Sequence, residues 1–376
     1  MKRLHRCGTA AILLTALTLI FTPRTHAQLG DAGEILRGGA ADANLLLENY
    51  LKPFGSGFGA DLNSGWVNTA RPYRTLGFDF RATVALSVVP EADLLFDVGQ
   101  LTFTELEYLG PAGQTITPTI AGEDVTGVRM GKTYTDPMTN TEQELFAFDM
   151  PPGVDFPYVP APMAQLTVGA IRGTDVTVRF MPSIEIEDVG SISLWGLGVK
   201  HGLNQWIPGG GALPVDISVQ LGYTSLAASS GFDVQPEIDS QTHVPSGYET
   251  NAPRWDGQGV DLNTTGFTGN VLVGKNLPIL SIFGGIGFQN SNMKISTPGH
   301  YPLVVPNTDS QGNFNDPSQP KRVSSIEDPI DLELKGDNSI HALAGFRLRF
   351  GFLAISGSYT MAKYPTANLG VGISLR

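Results

Sequence analysis

Residues 78–88 set Phe78, Phe80, Ala82, Val84, Leu86 and Val88 on one parity and Asp79, Arg81, Thr83, Ala85 and Ser87 on the other. Alternation with a period of two is the pattern of a β-strand with one apolar and one polar face. Similar stretches recur along the chain, each about ten residues long with turn residues between them, which is the pattern of strands that cross a bilayer in a closed barrel. Mean hydropathy near zero is compatible with that reading, because in a barrel only every second side chain faces lipid.

The further stretches are 163–170, 176–186, 191–200, 214–224, 260–273, 279–290, 338–350, 352–362 and 366–376. With 77–88 they give ten strands, and one more hairpin hidden in 89–162 would give twelve. The links near 171–175, 274–278 and 351 are short, while the excursions 89–162, 225–259 and 291–337 are long. Short turns on one side and long loops on the other match an outer-membrane barrel. The competing fold is a secreted β-sandwich, whose strands also carry one apolar face. The barrel is favoured by strand length, by aromatic residues expected near strand ends (Tyr223, Phe350, Phe352, Tyr359, Tyr364), and by the closing strand through Ala367, Leu369, Val371, Ile373 and Leu375. The expected fold class is all-β, a transmembrane antiparallel β-barrel of 10–12 strands with a short N-terminal helical segment.

Residues 1–27 form a secretory signal: Lys2, Arg3 and Arg6, then the apolar run Gly8 to Phe21, then Thr25-His26-Ala27 as cleavage site. Residues 28–60 hold the helical segment, with apolar positions at Ile35, Leu36, Leu46, Leu47, Tyr50 and Leu51 and an end expected at Pro53. It serves either as a plug in the barrel mouth or as a helix on the periplasmic rim. A Gly-rich lead-in follows from Gly55 to Tyr73, with Trp66 and Tyr73 suited to the membrane interface, and residues 61–376 make the barrel. The net charge is −12, and the signal contains four basic and no acidic residues, so the exported part is more acidic still. That excludes nucleic acid as a partner. The only cysteine is Cys7, inside the signal, which excludes disulfides and thiolate chemistry afterwards.

Several segments resemble the long-chain fatty-acid transporter (outer membrane protein P1-like) group and, more broadly, uncharacterised outer-membrane barrels of Gram-negative bacteria. They are Tyr50-Leu51-Lys52-Pro53, Asn63-Ser64-Gly65-Trp66, the run Thr117 to Gly122, the run Gly198 to Pro208, and Tyr364-Pro365 before the last strand. The resemblance implies a cell outer-membrane barrel, in contact with outer-membrane lipid, that passes a small or hydrophobic solute.

Strand parity turns Asp79, Arg81, Arg179, Asp216, Gln220, His341, Arg347 and Arg349 inward. They either form a charged lumen that selects a solute or pair with one another in a closed interior. The exported histidines His201, His243, His300 and His341 lie outside hydrolase motifs and lack metal-ligand spacing, so neither catalysis nor a metal or other cofactor is expected. Asn307, Asp309, Gln311, Gly312, Asn313 and Asn315 have calcium-loop spacing, but the twelfth position is Ser318, and such residues also recur in ordinary turns. Gly284-Gly285-Ile286-Gly287 sits in a strand pattern, where glycine bends the strand or admits the helix. The functional expectation is a passive pore or transporter of small or hydrophobic solutes. The alternative is a closed structural barrel whose long acidic loops, with Glu237, Asp239, Asp309, Asp316 and an exposed Trp255, bind a surface partner or support envelope assembly.

Overall fold

The computed structural model describes residue 35 and residues 39–135, 140–186, 190–231, 233–236, 238–309, 311, 313–336 and 340–375. Its frame is ten antiparallel strands: β1 (Phe78–Val88), β2 (Tyr158–Gly169), β3 (Thr174–Ile186), β4 (Gly190–Gly202), β5 (Asp216–Gly231), β6 (Gly259–Asn276), β7 (Leu280–Ser296), β8 (Ile340–Phe350), β9 (Leu353–Met361) and β10 (Thr366–Leu375). Each pairs with its sequence neighbours, and β10 returns to β1 with Leu375 opposite Phe78 and Thr366 opposite Ser87. Closure leaves no strand edge of the barrel unpaired, which a strand in hydrocarbon requires.

The alternation read in the sequence is the alternation of the wall. Outward positions such as Phe80, Val84, Leu197, Leu221, Val271, Ile286, Leu369 and Val371 are exposed, while the intervening Asp79, Arg81, Gln220 and Asn368 are buried. An arginine on the outer face would cost about 2–4 kcal/mol at the bilayer midplane. The strand count settles at ten. The excursion 89–157 adds no barrel strand; its short strands Leu95–Asp97 with Ile116–Pro118, and Glu107–Tyr108 with Arg129–Thr135 and Glu142–Asp149, pair among themselves. Two of the five aromatics do not mark strand ends. Tyr223 lies mid-strand because β5 continues to Gly231, and Tyr364 is buried, donating its hydroxyl to Asp93 at 2.5 Å.

The helix differs most from expectation. α1 spans Ala40–Asn63 and runs through Pro53; the expected signal, residues 1–27, and most of 28–38 lie outside the described residues. A proline inside a helix removes one backbone hydrogen bond, yet packing holds the helix together here. Gly55, Gly57 and Gly59 let it approach Leu334, Val159 and Ser291 closely, and Leu46, Leu47 and Tyr50 join an apolar cluster with Met130, Phe148 and Leu332 of the long excursions. Asp42 accepts backbone N–H bonds from Thr104, Glu105 and Leu106, and Asn44 donates to the Pro329 carbonyl. The start of α1 therefore belongs to the long-loop end of the barrel, not to the short-turn rim. Trp255, expected to be exposed, is buried in that lobe against Tyr248, and its indole N–H donates to the Glu249 carbonyl at 3.0 Å.

From Asn63 the chain descends the lumen as an irregular strap, residues 64–77, and reaches β1 at the short-turn end, where Leu76 N–H bonds to the Gly169 carbonyl. Residues 39–77 thus cross from one mouth to the other inside the barrel. Single cysteines test this cleanly because the one native cysteine is Cys7, in the segment expected to be removed as a signal. In intact expressing cells, a membrane-impermeant maleimide should label Ala41→Cys and spare Leu277→Cys until the membrane is opened. Labelling of both from the same side would contradict the threading.

Candidate functional site

The lumen is the candidate site, and its chemistry comes from two sources: inward side chains of the wall, and backbone carbonyls of the threaded segment. An α-helix ends with unsatisfied carbonyls and the negative pole of its dipole. At the end of α1, Arg179 of β3 donates from Nη1 to the Leu62 carbonyl at 2.7 Å, from Nη2 to the Ser64 carbonyl, and from Nε to Gln165 Oε1 at 3.1 Å. Thr224 adds a bond to the Leu62 carbonyl at 3.2 Å, and Asn368 donates to Ser64 Oγ.

Below this, Trp66 turns into the wall. It is 5 % exposed, its ring lies under the Arg179 guanidinium at 3.7 Å, and its edge faces Gly196, Gly198 and Gly222. A Cβ on Gly198 would stand 2.6 Å from the ring, so these glycines shape the cradle. Burying an indole of 150–250 Å² contributes about 4–6 kcal/mol as an upper bound. Tyr73 is also buried: its backbone N–H donates to Asp175 at 2.8 Å and its hydroxyl to Asn68 at 3.3 Å. The membrane-interface placement expected of Trp66 and Tyr73 is therefore corrected; both rings anchor the strap.

Of the eight inward positions read from parity, six are buried, and they fall into groups. Asp79 sits between Arg347 (3.3 Å) and Arg81 (3.6 Å), accepts from Asn68 of the strap at 3.3 Å, and Arg347 also donates to Ser374. Gln220, Asn270 and His341 form a chain across β5, β6 and β8: Asn270 donates to Gln220, and its carbonyl oxygen lies 2.7 Å from His341 Nε2. The bond to His341 passes over Gly287, so this glycine admits a cross-strand contact rather than the helix. Arg179 stands apart at the helix end. Asp216 and Arg349 lie at the short-turn rim, where Asp216 pairs with Arg71 of the strap at 2.8 Å and Arg349 donates to the Pro278 carbonyl at 3.3 Å.

Sequence reasoning passed over one buried ion pair, Lys200–Asp175 at 3.0 Å, although the outward Leu197 and Val199 already assign Lys200 to the interior by parity. Lys200 also donates to the Thr69 carbonyl at 2.9 Å. Two cavities of about 10 and 20 Å³ lie against the strap, each with room for roughly one water, so the strap packs closely on the wall there. In the outer loop, Asp309 accepts the backbone N–H groups of Gln311 and Asn313, which closes a turn; Gly312 lies outside the described residues.

A closed transmembrane barrel with a helix and strap threaded through its lumen is the class that this fold and site define. The chain belongs to the Family of unknown function (DUF6588), whose model matches residues 1–375. No curated protein matches it. Among solved structures it is similar to the translocator domain of the autotransporter NalP from Neisseria meningitidis, at 11 % identity over 91 % of this chain and 99 % of that one, with a TM-score of 0.25. It is also similar to the Serratia marcescens hemophore receptor HasR (8 % identity, 78 % of this chain and 46 % of that one, TM-score 0.21). A further match is CdiB from Acinetobacter baumannii (9 % identity, 79 % and 60 %, TM-score 0.14).

The cradle gives a direct test. Trp66→Ala should cost about 3–5 kcal/mol and Gly198→Val about 1–3 kcal/mol, with the barrel itself retained. Limited proteolysis should then cut within 64–77 in both variants, and protection equal to that of the natural chain would show that the cradle does not hold the strap.

Proposed function

We propose that this protein is an outer-membrane barrel, its long loops facing outward, that passes small solutes when the threaded segment 39–77 shifts from the lumen. The observation that carries the reading is the chemistry of the contact between segment and wall. A barrel that only had to be filled would be filled best by apolar packing, since replacing a buried ion pair with well-packed apolar groups is often neutral or stabilising. Here the wall meets the strap with Asp79, Arg81, Asp175, Arg179, Lys200 and Arg347, all buried. Such a wall is costly while dry and readily hydrated once the strap moves, so it favours a lumen with a second, water-filled state. The polar lining favours water-soluble solutes over hydrophobic ones. The reading is non-catalytic and needs no cofactor. The runner-up is a permanently closed barrel whose outer lobe meets a surface partner, a role favoured by the exposed Leu95, Ile116, Val125 and Phe156 of that lobe.

A reversible lock separates the two readings. A Cβ on Gly57 would lie 3.3 Å from Val159 Cβ, close to the 3.5–4.5 Å span of a disulfide. Gly57→Cys combined with Val159→Cys should give a silent protein in planar bilayers when oxidised, with conductance restored by reductant. Identical behaviour before and after reduction would argue against gating by this segment, and silence of the natural chain under all voltages would favour the closed barrel.

A further inference from the structure

The strand register places Arg81 of β1 opposite Gln165 of β2, and Gln165 opposite Arg179 of β3. Neighbouring strands lie about 4.8 Å apart, so two guanidinium-bearing positions share one level of the lumen, roughly 10 Å apart with one amide between them. Glycines flank the row, Gly372 opposite Arg81 and Gly196 opposite Arg179, with Trp66 of the strap lying over Gly196.

We propose that this row is an anion-selecting step, and that the threaded segment covers it by offering its own carbonyls where an oxyanion would sit. This inference rests on the gated-passage reading. Arg179 donates to the Ser64 carbonyl, and Arg81 donates to the next carbonyl, Gly65, at 3.4 Å. Two consecutive peptide oxygens thus stand before two guanidinium groups, donors that also suit the oxygens of a carboxylate or phosphate.

Charge bookkeeping in the wall agrees. Four buried cations of the wall, Arg81, Arg179, Lys200 and Arg347, face two buried wall carboxylates, Asp79 and Asp175, in a chain whose overall charge is −12; a third carboxyl buried in the lumen, Asp61, belongs to the threaded segment and accepts a bond from Ser87. Asp175 serves Lys200, and Asp79 is shared by Arg81 and Arg347. Arg179 has no carboxylate within ion-pair distance among the described residues; its acceptors are two carbonyls and the Gln165 amide. Beside the row, Gln165 Nε2 and Trp66 Nε1 are buried without a hydrogen-bond acceptor, and Arg81 Nε has only the Asp79 carboxylate at 3.6 Å. A species that takes the place of Ser64 and Gly65 must bring hydrogen-bond acceptors and negative charge, whereas a cation would meet the Arg179 guanidinium, which no carboxylate balances.

The test uses the full chain in planar bilayers under a KCl gradient, reading the reversal potential, which depends on selectivity and not on how often the channel opens. The natural chain should favour Cl⁻ over K⁺, and inorganic phosphate should reduce the chloride current. Arg81→Gln combined with Arg179→Gln should bring the permeability ratio toward one and abolish the phosphate effect, while Arg349→Gln at the rim should leave both unchanged. Cation preference in the natural chain, or an unaltered ratio in the double variant, would overturn the inference while gated passage stood. If the double variant fails to fold, judged by its gel mobility before and after heating, the sign of the natural chain's reversal potential decides. Silence of the natural chain would remove the passage reading and this inference together.

Discussion

The depth at which α1 stops is fixed by one interaction, the fork from Arg179 to the carbonyls at its end. Each party needs the other. Buried carbonyls without donors cost about 1–3 kcal/mol each, and a guanidinium left unpaired in a sealed interior costs about 3–5 kcal/mol. Together they satisfy most of each other's hydrogen-bonding demand, and the negative pole of the helix faces the positive charge. The rest of the lumen follows from that seat: Ser64 is placed for Asn368, Trp66 for its glycine cradle, and Asn68 for Asp79.

Barrel size explains why a segment is needed there at all. Eight strands leave an interior that side chains alone can fill. Ten strands leave more room, and this wall widens it further by turning Gly196, Gly198, Gly222, Gly266, Gly370 and Gly372 inward among serines and threonines. Those glycines are poor strand formers. They are tolerated because Trp66 closes over three of them and Asn63 lies against Gly266, so packing lost by the wall is regained from the threaded segment.

The wall was legible in the chain because lipid outside and protein inside impose opposite demands on alternate residues, as Phe80, Arg81, Ala82 and Thr83 show in four steps. The same parity located the buried Asp79, Arg81, Arg179, Gln220, His341 and Arg347. The path of the N-terminal segment was not legible, because its contacts are with residues from about ten to three hundred positions away and leave no periodic trace. Pro53 reads locally as a stop, but long-range packing of Gly55, Gly57 and Gly59 carries the helix past it. Trp66 reads as an interface anchor, since in a membrane protein that is where a lone tryptophan usually sits. The clue lay in the wall instead: Gly196, Gly198 and Gly222 share the inward parity of adjacent strands β4 and β5 and together define a hollow the size of a large ring.

The strap from Ser64 to Gly77 is irregular backbone at membrane depth, which is admissible only where protein encloses it and supplies its hydrogen bonds. Three of the four buried cations do so: Arg179 serves Ser64, Arg81 serves Gly65, and Lys200 serves Thr69. A helix in that place would have satisfied its own backbone and asked nothing of the wall. The choice of an unpaired strap therefore accounts for the cations, and the cations in turn hold a segment that no regular secondary structure fastens in place. A threaded segment held mostly by side chains, with backbone bonds only near Tyr50 and at Leu76 and Gly77, can be exchanged for another set of acceptors without breaking any strand pairing of the barrel, which makes a second state compatible with an intact wall.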